Sequence, residues 1–120
     1  MASQPKRKIL FVCEHGALRC RLAAAYFNAE APEGWEAVTA GVTPQAEVSP
    51  KLLPLLEGTA AHDFADTSAP HELSSAQGER MITIDASIAG DESWTTDGSD
   101  QEMREQIRNH VTGLVRDLAD

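Results

Sequence analysis

Apolar residues fall along the chain in two periods. Ile9, Leu10, Phe11 and Val12 form a short unbroken run of strand formers, which predicts a strand buried on both faces. It ends at Cys13, and a glycine-containing segment follows. From Cys20, an alanine-rich stretch running to Glu30 favours helix until Pro32 and Gly34 stop it. Residues 35–42 predict a second strand with Gly41 as a bend. Ser49 and Pro50 read as an N-cap and first helical position, and Leu52, Leu53, Leu55 and Leu56 as an apolar face. Pro54 inside that face predicts a short or kinked helix. Residues 58–79 are polar and irregular, with a helical turn expected around 71–76. Met81, Ile82, Thr83 and Ile84 predict another buried strand, ending at Asp85, and residues 92–95 a fourth. Met103, Ile107, Val111, Leu114, Val115 and Leu118 make one helical stripe, with Asp100 or Ser99 as its cap. Strands alternating with helices predict an α/β domain over residues 1–120, its parallel sheet covered by helices on both faces. Residues 1–7 read as a flexible tail.

Charge narrows the partners. The 120 residues carry 19 acidic against 10 basic side chains, a net −9. A field of that sign repels polyanions, so neither nucleic acid nor an anionic membrane is an expected partner. No run nears the roughly 18 apolar residues of a membrane span. The basic start has the outline of a signal peptide, but its apolar run is too short and Glu14, His15 and Arg19 follow at once. A soluble, cytoplasmic protein is expected. Two cysteines are too few for a disulfide scaffold or a structural zinc site. His15, His62, His71 and His110 show no metal-ligand spacing, so no metal is expected. Positive groups gather near the start instead: Lys6, Arg7, Lys8, His15, Arg19 and Arg21.

That concentration surrounds the segment Cys13, Glu14, His15, Gly16, Ala17, Leu18, Arg19, Cys20, set between a buried strand and a helix. A loop in this place aims successive backbone N–H groups at one point, with a helix N-terminus behind them. It can bind a tetrahedral oxyanion and stabilise a thiolate. Cys13 is therefore the candidate nucleophile, its pKa lowered by those amides and by Arg19. Arg19 can grip two oxygens of phosphate or arsenate in a planar fork that lysine does not offer.

Lys8 to Cys13, then five residues, then Arg19, resembles the N-terminal signature of the low-molecular-weight protein tyrosine phosphatases and their arsenate-reductase relatives. Thr39, Ala40, Gly41 and Val42 with Pro44 resemble a Ser-Ala-Gly-Thr stretch of that family. The resemblance implies a four-stranded parallel sheet, a phosphocysteine intermediate and a general acid from a late loop. Three departures stand out. His15 and Gly16 replace the family's Gly-Asn pair; Gly16 can take a left-handed conformation unaided, while His15 either meets the anion or faces solvent, and Glu14 must point away. Cys20 replaces a Ser or Thr whose hydroxyl serves the thiolate, so it is either a plain substitute or a second redox thiol able to pair with Cys13. No Asp-Pro pair follows; Asp97, behind Trp94, is the candidate acid, Asp100 the reserve and Asp91 a more distant option. The tyrosines that phosphotyrosine enzymes set beside the acid are missing, since Tyr26 is the sole tyrosine.

Three functions follow from these residues. One is hydrolysis of phosphomonoesters on the Cys13–Arg19 loop. A second is arsenate reduction, with Cys20 or a small cellular thiol as second sulfur and a thiol reductant such as thioredoxin. A third is a phosphoryl carrier or a non-catalytic phosphate-binding module. Trp94 before the acidic loop is similar to the reductase branch.

Overall fold

The computed structural model describes residues 7–119. Residues 1–6 of the expected tail lie outside the described residues, whereas Arg7 already opens the first strand. Elements run β1 (Arg7–Cys13), α1 (Arg19–Glu30), β2 (Trp35–Gly41), α2 (Leu52–Leu56), two 3-10 turns (Ala60–Phe64 and Leu73–Ser75), β3 (Arg80–Ile84), β4 (Glu92–Trp94) and α3 (Asp100–Ala119). The four strands form one parallel sheet in the order β2-β1-β3-β4. β1 is central, paired with β2 from Arg7 opposite Trp35 to Cys13 opposite Gly41, and with β3 from Ile9 opposite Arg80 to Cys13 opposite Ile84.

Strand alternation splits the core in two. Ile9, Phe11, Cys13, Ile82, Ile84 and Trp94 face a large cluster that takes in α1, α2 and α3. Phe11 packs edge-on against Phe27 at 6.1 Å between ring centroids and against Trp94 at 5.6 Å. Leu10, Val12 and Ala40 face a smaller cluster, closed by Leu73, Ala76, Met81 and Ile88. Both faces are thus covered, but all three α-helices contribute to one cluster, and a 3-10 turn with irregular chain covers the other. Residues 58–79 hold too few apolar side chains for a helix, which explains the asymmetry. α1 is buried continuously from Cys20 to Phe27, and its alanines let it sit deep between the sheet and α3. Asn28 clamps the sheet edge, its amide accepting from the Ala37 N–H at 2.8 Å and donating to the Ala37 carbonyl at 3.3 Å. Ser99 and Glu102 form a reciprocal cap at the start of α3, each side chain accepting from the other's N–H at 3.2 Å. Among the described residues, no helix is long and apolar enough to cross a membrane.

Candidate active site

The site grows out of the carboxyl end of β1, the central strand, where open parallel sheets place their ligands. Residues 14–18 leave the strand and enter α1 at Arg19. Gly16 takes φ +64°, and a Cβ there would stand 2.9 Å from the Gly41 nitrogen. The loop therefore lies directly on the end of β2, and glycine is needed on both sides of the contact. Its carbonyls all turn outward. Those of Cys13, Glu14, His15 and Ala17 accept from the N–H groups of Val42, Thr43, Gln45 and Ser49 at 3.1, 2.7, 3.1 and 3.0 Å. The Gly16 carbonyl accepts from Arg21 Nε at 2.9 Å, and that of Leu18 from the Leu22 N–H at 2.8 Å. In a trans peptide the N–H points opposite to the carbonyl, so carbonyls held outward leave amides facing inward.

Cys13 sits among those amides and is almost wholly buried. Its thiol is lowered to about 6, chiefly by a hydrogen bond from the Cys20 side chain. Burial opposes this, and the N–H groups of Cys20, Gly16 and Leu18 reinforce it. The Cys20 thiol moves the other way, pushed well above its ordinary value by burial and by its role as donor to Cys13. Both cysteines are free. Arg19 is not among the causes of the low Cys13 value, contrary to expectation. Its Nε is 3.1 Å from Asp85 Oδ2, which offsets its charge.

A cavity of about 200 Å³ opens over the sulfur, lined by Cys13, Glu14, His15, Ala17, Leu18 and Arg19 from the loop and by Gln45, Ser49 and Lys51 from the facing segment. A larger recess of about 470 Å³ around Leu53, Pro54 and His62 has no cysteine in its lining. Glu14 lines the rim, but its carboxylate is held by the Ser87 N–H at 2.9 Å and the Thr43 hydroxyl at 3.2 Å. His15 turns Nδ1 to the Thr43 carbonyl at 3.3 Å. The acid candidates stand apart from this lining. Asp97 accepts from Gln106 Nε2 at 2.9 Å, Asp100 pairs with Lys51 at 3.1 Å, and Asp91 accepts from the Met81 N–H at 2.8 Å.

Sequence reading missed Asp85. It follows β3, whose last residue Ile84 lies opposite Cys13, takes φ +49°, and accepts from the Thr96 N–H at 3.0 Å and from the Thr96 hydroxyl. It thus ties Arg19 to the loop that carries Asp97. A carboxylate at the carboxyl end of the strand next to β1 was the available signal. Gln45, Ser49 and Lys51 carried none, because only the fold brings them to the rim.

No protein-family model and no curated protein matches the sequence. Solved structures do match its fold. The thioredoxin-dependent arsenate reductase of Corynebacterium glutamicum superposes with a TM-score of 0.72 at 24% identity, covering 98% of this chain, which spans 64% of that protein's length. A low-molecular-weight protein tyrosine phosphatase from T. tengcongensis gives 0.63 at 18% identity, covering 94% of this chain and 97% of the other. An arginine phosphatase from Geobacillus stearothermophilus gives 0.67 at 18%, covering 93% and 92%. The chain has the fold these proteins share, and that one fold serves more than one chemistry.

Proposed function

We propose that the protein is a cysteine-nucleophile phosphatase that hydrolyses phosphomonoesters through a phosphocysteine on Cys13. The observation that carries this reading is a thiol lowered to about 6 inside a loop whose carbonyls are all bonded outward. The Cys13 thiolate attacks phosphorus, the phosphorus–oxygen ester bond breaks, and the freed amides with Arg19 hold the charge on the equatorial oxygens. Asp97 protonates the leaving oxygen and then takes a proton from the water that attacks phosphorus, as the phosphorus–sulfur bond breaks and returns the Cys13 thiolate. Gln106 releases the Asp97 carboxylate for that role, while Asp85 keeps Arg19 aimed at the loop mouth. Among the described residues no Phe, Tyr or Trp lines the cavity, which favours small or alkyl phosphates over phosphotyrosine. Turnover of a phosphomonoester that survives in Cys20→Ser and disappears in Cys13→Ser and Arg19→Lys supports the assignment. Turnover that persists in Cys13→Ser removes it.

One contact favours a second reading, arsenate reduction: the Cys20 thiol donates to Cys13. The Cys13 thiolate attacks arsenic to give a sulfur–arsenic bond, an arsenic–oxygen bond breaks, and the hydroxide takes the Cys20 proton and leaves as water. Cys20, once deprotonated, attacks the Cys13 sulfur; the sulfur–sulfur bond forms, and the electron pair of the sulfur–arsenic bond leaves with arsenic. Arsenic falls from As(V) to As(III), and an external thiol reductant of the thioredoxin or small-thiol kind restores both cysteines. Single-turnover arsenite release without added thiol, lost in Cys20→Ser, identifies this route.

A further inference from the structure

Arg21 has no part in either reaction, yet its side chain is fully buried. Burying a guanidinium costs several kcal/mol unless its donors are well met, so its contacts indicate what it serves. Nε donates to the Gly16 carbonyl at 2.9 Å. Nη1 donates to the Asp66 carbonyl at 2.6 Å and lies 3.6 Å from Asp66 Oδ1. Nη2 has no hydrogen-bond partner.

Four carbonyls of the loop, those of Cys13, Glu14, His15 and Ala17, are met by backbone N–H groups of the segment that follows β2. Gly16 falls in a gap in that series, between the donors Gln45 and Ser49, and Arg21 fills it. Gly16, at φ +64° and without a side chain, has no group of its own to hold that carbonyl. With its oxygen pinned outward, the Ala17 N–H on the same rigid plane points the opposite way, toward the cavity that Ala17 lines. The amides of Cys20, Gly16 and Leu18 lower the Cys13 pKa; that of Ala17 is not among those causes, and Ala17 lines the cavity.

We infer that Arg21 is a positioning residue that clamps the Gly16 carbonyl outward, so that the Ala17 N–H is aimed at the bound oxyanion, and that anchors this peptide to the Asp66 segment. The inference rests on the oxyanion reading of the loop. It assigns the holding of this peptide to a side chain in the first turn of α1. Lysine would keep the charge and lose the fork, so it could not reach Gly16 and Asp66 together.

The test is a titration of the wild-type protein, Arg21→Lys and Arg21→Met with inorganic phosphate, followed by amide NMR and calorimetry, with melting temperature read alongside. In the wild type, the Ala17 amide should move among the most on phosphate addition. In both variants it should move little, with phosphate bound about 10-fold or more weakly, the loss expected for one charge-assisted hydrogen bond. A purely structural Arg21 would lower the melting temperature while leaving phosphate affinity and the Ala17 shift unchanged, and that result overturns the inference. Should the variants not fold, a silent Ala17 amide beside other responding loop amides in the wild type overturns it alone. If no loop amide of the wild type responds to phosphate, the oxyanion reading fails first and the clamp with it.

Discussion

Two sulfur atoms and two carboxylates decide what the site can do at the scale of single residues. Cys20 is the largest cause of the low Cys13 pKa, so alkylation of Cys13 by iodoacetamide should rise with pH around a midpoint near 6 and then level off. Cys20→Ser, which keeps a donor, should leave that midpoint low. Cys20→Ala removes the donor and should raise it toward the ordinary thiol value near 8.5. Because the folded value is depressed, the thiolate stabilises the fold fully above the unfolded thiol's pKa. That contribution fades as pH falls toward about 6, so the stability advantage of wild type over Cys13→Ala should shrink across that window. The carboxylates divide differently. Asp97→Asn should lower kcat more for alkyl than for aryl phosphates, since only poor leaving groups need the proton. Asp85→Asn should act mainly on KM, through loss of the Arg19 contact; equal effects of both variants on both substrates would contradict the division. Cys13, Arg19 and Cys20 could be proposed from the sequence because they lie together in one loop. Asp85 was not, since its meaning lies in a neighbour 66 positions away in sequence, and neither was Arg21, which reads as one more surface cation until its burial is known.

Among the elements, the decisive contact is between the Cys13–Arg19 loop and the end of β2. A Cβ at Gly41 would lie 2.6 Å from the Gly16 nitrogen and 2.7 Å from the His15 carbonyl carbon, backbone atoms that have nowhere to go. Gly41→Ala should therefore cost about 1–3 kcal/mol in denaturant melts and abolish phosphate binding. Gly113→Ala, in α3 with nothing within 4 Å, should stabilise by roughly 0.5–1 kcal/mol and leave binding intact. A Gly41→Ala protein with unchanged affinity would sink the packing argument. The strands and the long helix were readable because each carries a clean period: the β1 run, the Met81–Ile84 run and the α3 stripe all land where the pattern puts them. The cap of α3 resolves to Ser99 with Glu102, leaving Asp100 to pair with Lys51. What the period could not reveal is that the second face of the sheet is closed by irregular chain. Leu73, Ala76 and Ile88 reach it singly, and isolated apolar residues have no period to read.

Taken whole, the molecule sets an amide-lined loop in an acidic body. With a net −9, self-repulsion weakens the compact state, and salt screens it over about 10 Å at 0.1 M. Raising sodium chloride from 0.05 to 0.5 M should raise the melting temperature by a few degrees; a fall would mean that attractive pairs such as Arg7–Glu79 and Lys51–Asp100 outweigh the repulsion. The same field discourages anionic substrates away from the loop, where the proposed phosphatase reading puts the covalent chemistry. The most direct measurement is an acid quench of the reduced wild-type protein during turnover of a chromogenic aryl phosphate, with mass analysis of the peptide that contains Cys13. The account predicts one phosphoryl group on Cys13, absent in Cys13→Ser, appearing no more slowly than product. Product formed with no phosphocysteine, or a folded protein that forms neither, would contradict it.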